Sequence, residues 1–386
     1  MTTTVRFALL IALLTPATVA VQAPAATPPR GTTALDVFAH DDVVDLLVAV
    51  DAGDGFRLEH RRSRDYGRTF GDPVVIAPAT GRLTTPGRNT DPQIAARGDR
   101  LVAAWTAPGT SAWGGGPLLT AISSDGGRTW QAGPSPDDQG QAIEQAFIDL
   151  TDDDAGRLHA VWLDSRGGRM GLRSAVSNDW GQRWSANGTI DTVTCECCWN
   201  ILARGWGGSL LALYRDVPRD MAVARTTGNG WARSATVAPF NWGAELCPDV
   251  GGALVRGTGA DTLHALVWTG EEAARGLYVA SSSDNGATWR PPVRVGSADA
   301  WHGDLTRSGD TLLAAWDVNT PNDVHIEWAW SVDAGRTWST GGRLTPPGVR
   351  ATHPKVTPTP DGAMVYWTER AGGVASRWRA DAVRPR

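Results

Sequence analysis

Three of the chain's four cysteines fall within four positions, Cys195, Cys197 and Cys198 in CECCWN, and the fourth, Cys247, stands apart in ELCPDV. Two histidines, His302 in WHGDL and His353 in THPKV, each open a stretch of similar pattern. Thiolates and imidazoles are the donors that soft or borderline ions prefer, so the set suits copper or zinc. Four cysteines also make a disulfide framework, in any of three connectivities. A bridge from Cys195 or Cys198 to Cys247 is easy to draw, whereas a second bridge inside CECC is awkward. Which reading holds depends on what brings these segments together.

The positioning elements are legible as a repeat. SRDYGRTF from Ser63, SSDGGRTW from Ser123, SNDWGQRW from Ser177, SSDNGATW from Ser282 and SVDAGRTW from Ser331 share one pattern, with a worn copy, TTGNGW, at Thr226. Its Asp can accept backbone N–H bonds within a tight hairpin turn, its Gly supplies a conformation other residues resist, and its aromatic returns into an apolar layer. Each copy follows a second element, two apolar strands joined by a short turn and ending in an aromatic. These elements end at Trp105, Trp162, Tyr214, Trp268, Trp316 and Trp367, and a looser copy begins at Ala34. Nineteen tryptophans and forty-five glycines fit many short strands with tight turns.

The eight-residue pattern is the Asp-box, or BNR, motif, and nearly the whole mature chain resembles the sialidase-like β-propeller superfamily. The resemblance implies an all-β fold of four-stranded antiparallel blades. Seven openings favour seven blades, with six the alternative if the chain ends share one, and a leader strand is a candidate to complete the last. It further implies that the Asp-box turns join third and fourth strands on one face, and that functional groups gather on the opposite face around the axis.

Aligned on their first strands, the blades give one variable slot: Asp91, Phe147, Cys198, Cys247, His302 and His353. Equivalent slots in a closed ring face a shared axis, with Cys195 and Cys197 on the loop above. The expectation is a Cys/His metal centre built from Cys195, Cys197, Cys198, Cys247, His302 and His353, holding copper in first place and zinc in second. Asp91 is the next polar member of the ring.

Loops between second and third strands add Asp164, Arg166, Glu271, Glu272, Asp317, Asn319, Glu369 and Arg370. The strongest of these segments is YRDVPRD, where Tyr214, Arg215, Asp216, Arg219 and Asp220 are candidates to support the metal ligands or bind an anionic ligand. His159 and His264 fall inside strands, and His40, His60 and His325 stand in exposed-looking contexts.

A sialidase needs three arginines on the substrate carboxylate, a tyrosine nucleophile paired with a glutamate, and an aspartate acid/base. The Arg-Ile-Pro motif that carries the first arginine is absent, and Tyr214 is the only attractive tyrosine. Fold resemblance does not carry a site. An exo-sialidase acting on glycans is therefore the second reading, and a disulfide-stapled interaction scaffold the third. If the protein is an enzyme, a metal-dependent oxidoreductase is favoured over a glycoside hydrolase.

Arg6, the apolar run Phe7 to Leu14 and the small residues up to Ala20 or Ala23 have the layout of a secretory signal. The expected organisation is a signal at 1–23, a flexible leader at 24–33 and one propeller at 34–386. Export to the periplasm or outside the cell follows, with no membrane span after cleavage. Thirty-six basic against forty-one acidic residues leave a net charge of −5, which gives no footprint for nucleic acid. A small molecule, a glycan or a metal-donor protein is the expected partner.

Overall fold

The computed structural model describes residues 31–53, 55–80, 83, 90–109, 115–140, 143–217, 220–228, 230–243, 248–372 and 374–385. The expected signal, most of the leader, Arg219 and Cys247 lie outside the described residues.

Seven antiparallel sheets follow one another along the chain, each a meander of consecutive strands. Blade 1 comprises β1 (Gly31–His40), β2 (Val43–Asp51), β3 (Phe56–Ser63) and β4 (Val74–Val75), and blade 2 comprises β5 (Gln93–Arg97), β6 (Arg100–Pro108), β7 (Gly115–Ser123) and β8 (Gln131–Gly133). Blade 3 holds β9 (Gln145–Asp152), β10 (Leu158–Asp164), β11 (Gly171–Ser177) and β12 (Gly188–Asp191). Blade 4 holds β13 (Ile201–Arg204), β14 (Leu210–Arg215), β15 (Met221–Thr227) and β16 (Gly230–Thr236). Blade 5 runs through β17 (Ala253–Arg256), β18 (Leu263–Thr269), β19 (Gly276–Ser282) and β20 (Val293–Val295). Blade 6 runs through β21 (Ala300–Ser308), β22 (Thr311–Asn319), β23 (Val324–Ser331) and β24 (Ser339–Arg343). Among the described residues blade 7 has three strands, β25 (Val349–Thr359), β26 (Gly362–Ala371) and β27 (Arg377–Val383).

The packing closes these sheets into a β-propeller. Apolar side chains run almost continuously along the second strands, such as β6 and β14, and successive ones point to opposite faces, so both faces of a blade must be covered, and each neighbour supplies one cover. Each main hydrophobic cluster is accordingly shared by two consecutive blades: Leu47 and Leu58 of blade 1 pack with Ile94 and Trp105 of blade 2, for example. The ring closes where Leu46 and Val48 of blade 1 meet Met364 and Tyr366 of blade 7. The aromatics that end the second strands, Trp105, Trp162, Tyr214, Trp268, Trp316 and Trp367, are all buried. β1 begins at Gly31, so the last three residues of the expected leader are strand. They do not add a fourth strand to blade 7. Gly31 makes a single parallel bridge to Ser376, ahead of β27.

The repeated eight-residue pattern forms the same turn each time, between third and fourth strands. In blade 1, Ser63 Oγ accepts the Gly67 N–H at 2.9 Å and bonds Asp65 Oδ1 at 2.6 Å, while Asp65 accepts the Thr69 N–H at 2.9 Å and its hydroxyl at 2.6 Å. Residues around Asp125, Asp284 and Asp333 repeat these bonds. The turn takes two left-handed residues in succession, such as Tyr66 at φ 62° and Gly67 at φ 81°. Hydrogen bonds from serine and threonine hold Asp65 and Asp333, and from threonine hold Asp125, at a pKa of about 2.

His60 departs from its exposed-looking context. It is buried, with its ring 2.7 Å from Asp45, which also takes Arg62. His325 is half-buried between Asp323 and Glu327. Among the described residues no helix is long and apolar enough to cross a membrane.

Candidate functional site

The first strands line the axis. A cavity of about 260 Å3 is bounded by residues from the starts of all seven blades, Asp36, Gln93, Asp149, Asn200, Asp249, Asp304 and Lys355 among them. Six of these stand two residues after the variable slot, and Asp36 holds the matching place in β1. The slot also ties blades together. Asp36 accepts the Ile94 N–H at 2.9 Å and Asp304 accepts the Val356 N–H at 2.8 Å, each from the following blade. Asp149 accepts the Leu202 N–H at 2.6 Å in the same way.

Charge in this ring is uneven. Lys355 Nζ lies 3.3 Å from Asp36. Burial works against the ammonium, but Asp36, Asp304 and Asp149 outweigh it and hold Lys355 above the ordinary lysine pKa. Burial raises Asp36 and Asp304 despite that partner, and pushes Asp149 up to about 7. Asp149 faces the cavity and keeps partial exposure there.

The variable slot behaves differently from the expectation of one shared rim. Asp91, His302 and His353 line the cavity, while Phe147 and Cys198 do not. Phe147, at φ 55°, breaks the pleat of β9 and packs edge-to-face on Trp199. Cys198 precedes β13, which begins at Ile201, so no strand pleat fixes its direction. The predicted ligands consequently form two groups among the described residues, one of sulfur and one of imidazole.

The imidazole group is built around Asp317, a buried carboxylate at the end of β22. It accepts the backbone N–H of His302 at 3.1 Å and of His353 at 3.0 Å, tying blades 6 and 7. His302 Nδ1 lies 2.9 Å from Asp317 Oδ2 and His353 Nδ1 3.6 Å from the same oxygen. The two rings stack with centroids 3.5 Å apart. His353 sits at φ 55°, a left-handed conformation unusual outside glycine, and both histidines adjoin register shifts. Strain of this kind concentrates where a side chain must be aimed. One ligand atom from each residue lies within 4.8 Å of the others, a spacing that can hold a metal ion.

In the sulfur group, Cys195 and Cys198 are not bridged and their Sγ atoms lie 3.1 Å apart, whereas Cys197 is disulfide-bonded. A disulfide sulfur offers no thiolate, so Cys197 leaves the ligand set. Burial pushes the Cys198 thiol well up, and its hydrogen bond with Cys195 adds to this. Arg215 pulls the other way without prevailing. The Arg215 carbonyl accepts the Cys195 N–H at 3.1 Å, and its guanidinium lies over Trp242.

Other members of YRDVPRD are placed for support rather than contact with a ligand. Tyr214 is fully buried, donates its hydroxyl to Asp191 at 2.8 Å, and has its pKa raised chiefly by burial. It cannot reach a substrate in the cavity. Asp216 pairs with Arg233, and Asp220 accepts the backbone N–H groups of Asn241 and Trp242. Arg166 is bound by Asp137, Asp138 and Asp164.

In the sequence alone Asp317 is one of several loop charges. One signal was available: the residue after the second-strand aromatic is Thr106, Leu163, Thr269 or Thr368 in four blades, but Arg215 and Asp317 in the other two. Those two exceptions adjoin the two donor groups.

No protein-family model matches the chain. No curated protein matches it. Among solved structures it is similar to a PL25 ulvan lyase, a polysaccharide lyase bound to -[GlcA(1-4)Rha3S]-, at 12% identity and a TM-score of 0.56, covering 90% of this chain and 91% of that one. It is also similar to a Trypanosoma rangeli sialidase in complex with sialic acid, at 12% identity and a TM-score of 0.51, covering 88% and 68%. A Dyadobacter fermentans protein of unknown function matches at 15% identity and a TM-score of 0.52, covering 79% and 97%. The chain spans 55% to 69% of the trypanosomal sialidases' length. At such identities the likeness is one of fold alone.

Proposed function

We propose that this is an exported propeller of the Asp-box type that binds a transition metal on its axial face, copper in first place and zinc in second, with a binding or redox role. The observation that carries the reading is the Asp317-centred pair of stacked imidazoles at the cavity wall, three donors from two blades held by backbone bonds. Imidazole and carboxylate suit a divalent copper or zinc ion, and the Cys195/Cys198 dithiol suits a monovalent one. The ion supplies Lewis acidity or one-electron chemistry when bound. The chain's residues orient the imidazoles and balance charge around the cavity. The Cys197 disulfide supports an oxidising compartment, and the five repeated turns support the Asp-box assignment.

A glycan-directed hydrolase draws only on fold. Among the described residues lining the cavity there is no arginine and no tyrosine, and Lys355 is the only basic side chain apart from the two histidines. Any glycan or small-molecule ligand, or a metal-donor protein, would meet the cavity mouth near Asp91, His302 and His353.

Calorimetric titration of copper and zinc into purified, chelator-treated protein tests the proposal. Tight one-to-one binding is expected, abolished by His302→Ala and by His353→Ala, and weakened about 10- to 100-fold by Asp317→Asn. Protein that takes up neither ion overturns it. Sialic acid release from a fluorogenic substrate would move the assignment to a hydrolase.

A further inference from the structure

The two donor groups are separate, yet Arg215 and a run of ring contacts from Trp242 to His353 join them. The Cys198 thiol is hydrogen-bonded by the Arg215 guanidinium, which lies 5.2 Å from the ring centroid of Trp242. Trp242 and Trp268 meet edge-to-face with centroids 5.3 Å apart, and Trp268 and Trp301 meet at 4.7 Å. Trp301 and His302 follow at 6.2 Å, and His302 stacks on His353 at 3.5 Å. Trp242 and Trp268 are buried, Trp301 half-buried. Arg215 also donates to the Trp268 carbonyl at 3.0 Å, and the Trp268 indole donates to the Ala300 carbonyl at 3.1 Å, so the stations are fixed in orientation. Packing alone accounts for each tryptophan, but it does not require the contacts to run from the thiols to the imidazoles.

Electron transfer weakens steeply with distance, and indole is among the side chains most readily oxidised by one electron. A close series of indoles therefore replaces one long jump by several short ones. We propose that Trp301, Trp268 and Trp242 form an oxidation relay that carries electrons from the Cys195/Cys198 dithiol to a redox metal at His302, Asp317 and His353. The relay rests on the metal reading above. It draws off oxidising equivalents when the bound ion meets a peroxide, sparing the imidazoles.

The balance is complete with that oxidant. Hydrogen peroxide takes two electrons and two protons at the metal, its O–O bond breaks, and two waters form. Cys195 and Cys198 each lose one electron and one proton, and an S–S bond forms between them. A bridge inside CECC, awkward on the sequence alone, is brought within reach by the fold: the two sulfurs lie 3.1 Å apart and need to close to about 2.05 Å. A single reduction by an external thiol resets the pair.

The test uses the full chain loaded with one equivalent of copper(II) and exposed to one equivalent of hydrogen peroxide under argon. Formation of the Cys195–Cys198 disulfide is followed by peptide mass spectrometry. Wild-type protein is expected to form it, and Trp268→Phe and Trp301→Phe to form it about tenfold more slowly at unchanged copper affinity. Because Trp301 is half-buried, its variant serves if Trp268→Phe does not fold. Equal rates in wild type and variants overturn the relay and leave the metal site standing, while absence of copper binding overturns both. A readout without metal uses flash-generated tryptophanyl radicals. They are expected to decay faster in wild type than in Cys198→Ser, and equal decay overturns the relay.

Discussion

The Ser-x-Asp turns and the axial ring are parts of the same repeat, and they treat repetition in opposite ways. Each turn reuses the same serine, aspartate and glycine, because the groups it satisfies are its own backbone N–H donors. The axial slot presents Asp36, Gln93, Asp149, Asn200, Asp249, Asp304 and Lys355 to one cavity. Seven identical charges could not share that space, so the ring must mix acid, amide and base. Electrostatics follows the same division. Turn aspartates are pulled down to about 2 by hydrogen bonds, whereas Asp149 is pushed to about 7 by burial. Local demands can be met by copying. A shared axis cannot.

The sharpest way to break this contrast is Lys355→Met. It leaves Asp36 and Asp304 without their cation, and the loss of one partner from a buried charge cluster costs about 3–5 kcal/mol. Denaturant unfolding at pH 7 should register that loss, and adding Asp36→Asn should recover part of it. A change indistinguishable from an exposed substitution would show that the ring is not held by charge.

A comparable effect is expected from pH. Asp149 has a folded pKa above its unfolded value, so the folded state holds the proton more tightly. Its contribution is present below about pH 4 and lost as pH rises through about 7. Stability relative to Asp149→Asn, which keeps an acceptor for the Leu202 N–H, should fall by about 4 kcal/mol between pH 4 and pH 8. Parallel curves for the two proteins would contradict the burial argument. The turn aspartates work in the reverse sense, contributing above about pH 4 and losing it as pH falls towards 2.

The smallest effect belongs to a single turn. Asp125→Ala removes the acceptor of the Thr129 N–H and hydroxyl in one hairpin only, for about 1 kcal/mol. Thermal unfolding should shift slightly without change at the axis. A larger collapse would mean that the turns also govern blade order.

The propeller was legible because a turn, a glycine and a closing aromatic act over eight residues. The ring's polar slot lies two residues beyond the variable slot and is polar in every blade, whereas the sequence pattern points to the variable slot as the axial one. The difference has a local cause: strand alternation predicts side-chain direction only where the pleat is regular, and Phe147 has a left-handed φ while Cys198 lies outside β13.

By itself, then, the sequence determined the all-β architecture, its antiparallel blades and the candidate donors, since periodicity and turn chemistry are short-range properties. Only the tertiary structure decided that sulfur and imidazole stand apart, that Asp317 belongs with the histidines, and that Cys197 is bridged. Those outcomes depend on bulges, loop directions and contacts between blades more than fifty residues apart in sequence, as between Arg215 and Trp268. No local pattern encodes such distances.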